Sequence, residues 1–321
     1  MYKIGIMGTA AIADRFMINA IKEVDDCIIY AIGSRDINSA KEFANRHNIQ
    51  LVMTYEELVK CDEIDVIYMP LPTGLHYEWG VKALNNGKHI LFEKSLASSV
   101  EQTQKLVNIA KHKNLLIDEN FMFEHHQQQS ALKQALQTVG TIKSFTANFG
   151  FPPLEESNFR YDVSLGGGAL LDAGAYVIKC LGVFFPDYKI KILHALASFK
   201  RETDCDLSGG IYGIASNKNG SFPFFLNYGF DNAYKCGVEI WGSESILTTD
   251  RTFTAGPSVI PQIWKIDNNT WTNIKTTTDN HFRNKFEDFI FKIQSQCYSK
   301  TYDDIIRQSK LLEDVKKYIY V

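Results

Sequence analysis

The chain has 321 residues, 45% of them hydrophobic and 22% charged, and 34 basic residues against 37 acidic ones leave a formal charge of -3. That length accommodates two domains with a core each, and so balanced a charge excludes a nucleic-acid binder. No apolar run approaches the roughly 20 residues that span a bilayer, and the opening MYKIGIMGTAAIA lacks a secretory signal, so a cytoplasmic chain without membrane contact is expected.

In chain order, KIGIMG reads as a strand, residues 12–23 as a helix, CIIYAIGS as a strand, residues 37–47 as a helix and IDVIYMPLP as a strand. A helix over 77–86, the strand KHILFEKS, a helix over 99–113 and the strand LLIDENF follow. This alternation predicts a mostly parallel, doubly wound sheet of the Rossmann kind, covered on both faces. Beyond residue 120, TIKSFTANFGF, YKIKILHALASF, SGGIYGIASN, SFPFFLNYGF and KCGVEIWG follow one another as strands, which predicts a large, open, mostly antiparallel sheet. One helix around ALLDAGAYVIKCLGVFF and two more, over 281–297 and 301–318, are expected to cover one face of it. The fold class is therefore α/β. Residues 1–120 are expected to form a dinucleotide domain and 121–321 a domain for substrate binding and oligomerisation, with the last helix able to pack back on the first. The six cysteines, Cys27, Cys61, Cys180, Cys205, Cys236 and Cys297, are scattered, and reduced, mostly buried thiols without a metal are expected.

Strand KIGIM runs into Gly8, Thr9, Ala10, Ala11, Ile12 and Ala13, which overlay the dinucleotide fingerprint G-x-G-x-x-G/A with alanines at the second and third glycines. Gly8 permits the tight turn, Ala10 lets backbone N–H groups approach a pyrophosphate, and the next helix offers that anion its positive end. Small residues also serve packing alone at such junctions; the position of this one, opening a βαβ unit, favours the dinucleotide. Where a carboxylate would bind the adenosine ribose, the second strand ends in Ser34, Arg35 and Asp36. A hydroxyl and a guanidinium suit a 2′-phosphate, which a carboxylate repels. Arg35 also reads as a solvated loop cation, and Asp36 weighs against the phosphate. On balance NADP(H) is expected over NAD(H).

Ligands of open α/β sheets gather outside the carboxyl ends of strands. Pro70 to His76, including Leu71 and Thr73, follows one such end and reads either as a rigid loop against the nicotinamide ribose or as a plain strand-to-helix turn. Glu93, Lys94 and Ser95 follow another, where Lys94 reads as a group polarising a substrate oxygen or as a surface cation. Farther on, Gly166, Gly167 and Gly168 precede a helix on which Asp172 and Tyr176, four apart, share a face. A carboxylate orienting a hydroxyl and a phenol protonating a carbonyl fit that spacing, and so does a glycine cap followed by a core tyrosine.

GTAAIA, PLPTGLHYEWGVKALNNGKHILFEKS and GGGALLDAGAY, spread over nearly the whole chain, resemble the glucose-fructose oxidoreductase and inositol dehydrogenase (Gfo/Idh/MocA) family. The resemblance implies that Lys94 is catalytic, that Leu71, Thr73, His76 and Glu93 join it around the cofactor, and that the open sheet pairs subunits into a homodimer or homotetramer. Tyr176 stands where many sugar-polyol members carry histidine. ENFMFEHHQQQ, FGFPPLEESNFRYDVSLGGGALLDAGAY and FGFDNAYKCGVEIWGSESILTTDRTFTAG are most similar to NDP-hexose 3-ketoreductases, which use NADPH. That similarity implies Tyr176 as proton donor, Lys94 at the substrate carbonyl, and Asn120, Arg160, Tyr161 and Asp172 near the sugar nucleotide. Ser95 departs from the usual proline after the lysine, and Gln127 from a proline after His125 and His126. Adjacent histidines diverge on a helix or strand, so that pair reads as hydrogen-bonding or surface rather than metal-ligating.

Three functions follow. The first is reduction of a nucleotide-linked keto-deoxyhexose. The second is oxidation of a free sugar or a dihydrodiol; the first differs from it in needing a groove for the nucleotide, with Arg160, Tyr228 and Tyr234 as candidates. The third is a non-catalytic cofactor sensor, against which the joint presence of Lys94, Asp172 and Tyr176 argues.

Overall fold

Six short apolar strands build the first sheet: β1 (Tyr2–Met7), β2 (Cys27–Gly33), β3 (Leu51–Met53), β4 (Val66–Met69), β5 (His89–Phe92) and β6 (Ile117–Glu119). Their order is β3-β2-β1-β4-β5-β6 with every neighbouring pair parallel, as suits unbroken apolar runs buried on both faces. Between them run α1 (Ile18–Lys22, continuing a π-helical turn at Ala13–Met17), α2 (Ile37–His47), α3 (Tyr55–Lys60), α4 (Thr73–Asn85) and α5 (Val100–Lys113). The helix ends are written in the sequence. Asp36 and Ser99 cap α2 and α5, Thr54 and Glu57 form a capping box on α3, and Asn48 and Asn114 close α2 and α5 in the left-handed conformation. α4 starts four residues before the expected 77 because Pro72 sits at its N-cap, where a missing N–H does no harm. The strand order reverses beside β1, so the carboxyl ends of β1 and β4 flank the crevice where ligands enter such sheets.

After α6 (Gln128–Leu136), a second sheet is formed by β7 (Ile142–Gly150), β8 (Lys189–Phe199), β9 (Asp206–Asn217), β10 (Gly220–Gly229), β11 (Lys235–Gly242), β12 (Ile246–Thr249), β13 (Ile263–Asp267) and β14 (Thr270–Ile274). The order is β14-β13-β12-β11-β7-β10-β9-β8, antiparallel throughout except for the parallel pair β7 and β10. Phe145, Ala147, Phe149, Phe222, Phe224 and Leu226 alternate onto one face and are buried, as are Val177, Ile178 and Leu181 of α7 (Ala175–Phe184), which packs on β7 and β10. Each of these side chains larger than alanine contributes about 1.5–3 kcal/mol by leaving water. The segment Val163–Phe184 is, by length and composition, apolar enough to cross a membrane, which corrects the expectation that no run approaches that length. It is apolar all round because it lies mostly buried in this unit.

The chain divides into two compact units, Met1–Phe121 with Phe282–Ser309, and Met122–His281 with the residues from Lys310 onward; the computed structural model describes residues 1–320. Nearly all of α8 (His281–Ser295) and the first half of α9 (Ser299–Ile319) thus belong with the parallel sheet. For α8 this corrects the expectation that it covers the antiparallel sheet; for α9 the return of the last helix to the first domain was among the expectations. The cause is a buried stripe on α8, Phe282, Phe286, Phe289, Ile290 and Ile293, whose first ring stacks on Phe16 at 4.7 Å. Within the stripe, buried Lys285 reaches Asp118 of β6 at 2.8 Å, and Lys292 reaches the same oxygen at 3.1 Å. Burial alone would raise the Asp118 carboxyl; the two ammonium charges outweigh it and hold the group well below the ordinary carboxylate range.

Candidate active site

β1 ends at Gly8, whose φ of +113° only glycine adopts without strain, and a Cβ there would lie 3.1 Å from Leu71. Gly8 N–H donates to Gly33 at 2.8 Å, and the N–H groups of Ala13 and Asp14 both donate to Ala10, which turns the chain into the following helix. Gly8 is buried, Thr9, Ala10 and Ile12 are half-buried and Ala11 is exposed. At the end of β2, Ser34 Oγ accepts from Asp36 N–H at 3.1 Å, while Asp36 Oδ1 accepts from Asn38 and Ser39 at 2.9 and 3.3 Å. One oxygen of the exposed Asp36 carboxylate, Oδ1, is therefore engaged by the N-terminus of α2. Arg35 beside it is exposed. Tyr55 was not anticipated: it is buried, and its hydroxyl lies 3.6 Å from where a Gly8 Cβ would stand.

At the ends of β4 and β5 the loops are held from several sides. His76 is fully buried, with Nε2 2.8 Å from Leu71 O and Nδ1 3.0 and 3.2 Å from the carbonyls of Ser95 and Leu96. It is a tie between two loops, and burial brings its pKa down to about 4 against the pull of those carbonyls. Leu71 and Thr73 are nearly buried as well. Glu93 Oε1 accepts from Tyr68 Oη and from Asn120 Nδ2, each at 2.6 Å; burial raises its pKa, opposed by these bonds. Glu119 Oε1 accepts from Leu96 N–H at 2.8 Å. The Lys94–Ser95 peptide bond is cis, and Lys94 is half-buried. Asn120 is fully buried, and among the described residues its Oδ1 has no partner.

In the second unit, Asp172 lies in a π-helical turn (Leu170–Gly174) that leads into α7. Its carboxylate accepts from Arg160 Nε at 2.7 Å. Tyr176, 5% exposed, stands among Phe123, Phe149 and Phe253 with ring centroids 5.1–5.9 Å away, and its hydroxyl approaches Met122 Sδ at 3.6 Å. Tyr161 donates to and accepts from the backbone of Leu154, and Lys200 lies over its ring. Tyr228 is buried beneath the sheet, whereas Tyr234 is exposed and carries Arg251 over its ring. His126 Nδ1 accepts from Gln128 N–H, and its ring stands edge-on to buried His281, so His126 serves packing and hydrogen bonding. Among the described residues no group of three or more His, Cys, Asp or Glu side chains could hold a metal. The six cysteines are free thiols, of which Cys180, Cys205 and Cys236 are buried.

A family model described as "Oxidoreductase family, NAD-binding Rossmann fold" (GFO_IDH_MocA) matches residues 2–121. The dTDP-3,4-didehydro-2,6-dideoxy-alpha-D-glucose 3-reductase of Saccharopolyspora spinosa is 38% identical over 78% of this chain and 75% of its own. The enzyme of the same name from Actinomadura kijaniata is 34% identical over 81% of this chain and 78% of its own. The chain belongs to the GFO_IDH_MocA oxidoreductase family. Among solved structures, KijD10, a 3-ketoreductase from Actinomadura kijaniata in complex with NADP and TDP-benzene, superposes with a TM-score of 0.93 at 31% identity, covering 99% of this chain and 98% of that one. As a GFO_IDH_MocA protein the chain has the expected α/β fold, a parallel sheet and a mostly antiparallel one. Arg160 and Asp172 are brought together within one unit of this oxidoreductase, as are Glu93 and Asn120. His76, expected beside the cofactor, has its ring enclosed between the loops that carry Leu71, Ser95 and Leu96.

Proposed function

We propose that this chain reduces the keto group of a nucleotide-linked keto-deoxyhexose with NADPH, the first unit binding the cofactor and the second the sugar nucleotide. What carries the reading is the likeness, over 99% of the chain, to a 3-ketoreductase solved with NADP and TDP-benzene. The local chemistry agrees. Gly8, Thr9, Ala10, Ala11 and Ile12 fit a pyrophosphate because the glycine allows the tight turn after β1 and the short side chains beside it let backbone N–H groups approach the anion. Ser34 and Arg35 fit a 2′-phosphate because a hydroxyl and an exposed guanidinium suit that dianion, while Asp36 Oδ1 is turned to the N-terminus of α2. Leu71, Thr73, Glu93 and Lys94 border the nicotinamide, with His76 fixing their loops. NADPH, when bound, supplies a hydride. Tyr176 then delivers its phenolic proton to the substrate oxygen, Lys94 stabilises charge on that oxygen, and Asp172, with Arg160, Tyr161 and Asn120, orients the sugar nucleotide. Mixing the protein with NADPH and a TDP-linked 3-keto-deoxyhexose should discharge the nicotinamide absorbance; turnover of free sugars or dihydrodiols alone would overturn the reading.

Arg35→Ala tests the cofactor assignment. Loss of a charge-assisted hydrogen bond corresponds to about 1.5–3 kcal/mol, so Kd for NADPH should rise roughly 10- to 100-fold, while Kd for NADH stays put. An equal loss for both would show that Arg35 does not read the 2′-phosphate.

The second sheet exposes Tyr212, Phe225, Trp241 and Trp271 on the face away from α7. Tyr212 and Phe225 pair across strands with ring centroids 5.1 Å apart. A self-complementary patch of this kind suits a second copy of the same chain about a two-fold axis. Trp241→Glu is expected to shift the protein to monomers in sedimentation; a wild-type monomer would sink this part of the proposal. Free thiols throughout the chain fit a reducing compartment, the cytoplasm.

A further inference from the structure

Asp206 opens β9 and is 1% exposed, yet no substrate role falls to it. Its Oδ2 accepts from Leu170 N–H at 2.6 Å across 36 residues of sequence, and its Oδ1 accepts from Tyr320 Oη at 2.9 Å. The helix that starts at Leu170 has no cap of its own, because Ala169 and the three glycines before it carry no acceptor. Gly168 makes the room: a Cβ there would lie 2.2 Å from Asp206 Oδ1, and its φ is +110°. The same turn carries Arg160 twice. Gly168 N–H donates to Arg160 O at 2.9 Å, and the Arg160 guanidinium returns to Asp172 at 2.7 Å. Cys205 Sγ, next to Asp206, also lies 3.5 Å from Arg160 O.

We infer that Asp206, steadied by Tyr320, is a positioning residue that fixes Arg160 and Asp172 for the sugar nucleotide. The inference rests on the reading above, in which those two side chains meet the substrate. The carboxylate pins the loop of residues 160–172 to the sheet at Leu170, alongside the packing of the Tyr161 ring on Phe230 and the thiol contact at Arg160 O. Without it, substrate affinity suffers more than the chemical step, and the cofactor, held by the other unit's residues, is unaffected.

Asp206→Ala should raise KM for a TDP-linked 3-keto-deoxyhexose about tenfold, the equivalent of one charged hydrogen bond, with a smaller change in kcat and an unchanged Kd for NADPH. Asp206→Asn should restore KM, because its amide oxygen still accepts from Leu170 and its NH2 donates to Tyr320. Tyr320→Phe, which leaves the carboxylate in place and spares the fold, should raise KM about threefold. Hydrogen exchange at Gly167 to Asp172 should quicken in Asp206→Ala and in Tyr320→Phe. A wild-type protein that turns over no TDP-linked keto sugar defeats the functional reading, and the exchange data alone then decide whether Asp206 holds this loop. Unchanged KM and unchanged exchange in both variants, or an Asn variant as impaired as Ala, would overturn the assignment.

Discussion

Tyr176→Phe is expected to lower kcat by roughly 100- to 10,000-fold, the range for losing a general acid, with NADPH bound as tightly as before. The substitution removes one oxygen from a ring otherwise fixed by Phe123, Phe149 and Phe253, so the cage survives and the loss reports on chemistry. Lys94→Ala is expected to lower kcat by roughly 100- to 1,000-fold through loss of charge stabilisation. Its loop should hold, because bonds of Glu93 to Tyr68, of Glu119 to Leu96 N–H and of His76 to Ser95 O stay in place when the side chain is shortened. The double variant should fall short of the product of the two effects, as groups acting on one oxygen do not add. Steady-state kinetics with a TDP-linked keto sugar decide the matter: wild-type kcat in both single variants would remove these residues from the mechanism.

Asp118→Ala is expected to destabilise the first unit by about 3–5 kcal/mol, since it strands the buried Lys285 ammonium opposite an empty space and leaves half-buried Lys292 with Asp288. For a unit of this size that corresponds to a fall in Tm of roughly 6–20 °C, readable by calorimetry. The pH dependence has a definite sign. The folded carboxyl is held below its unfolded value, so its contribution is fully present above about pH 5 and is lost as pH falls through the depressed folded value. The gap between wild type and Asp118→Ala should therefore narrow under acid. A gap constant from pH 7 to pH 3 would show that the lysines do not set this carboxyl.

Much of the first unit was legible because its strands are uninterrupted apolar runs and its helices are bounded by Asp36, Thr54, Ser99 and the asparagines that follow α2 and α5. The placement of α8 was not. Its stripe of Phe282, Phe286 and Phe289 announces a buried helix but not which sheet it covers, and the deciding partner, Asp118, lies 167 residues before Lys285. The dinucleotide turn was readable from Gly8. The engagement of Asp36 by α2 was hidden, since a capping aspartate and a ribose-binding one look alike in sequence. Asp206 gave no local signal at all, because the amide it caps belongs to a distant segment.

The first unit ends its opening stretch at Phe121 and resumes only at Phe282, after the second unit's main body has intervened. On the ribosome, the parallel sheet must therefore wait for about 160 further residues, roughly 10–30 s of elongation, before the stripe that seals it and the ammonium groups that neutralise Asp118 emerge. A nascent chain stalled before residue 282 should expose that apolar surface and bind chaperones, and no excised fragment ending at residue 121 should fold by itself.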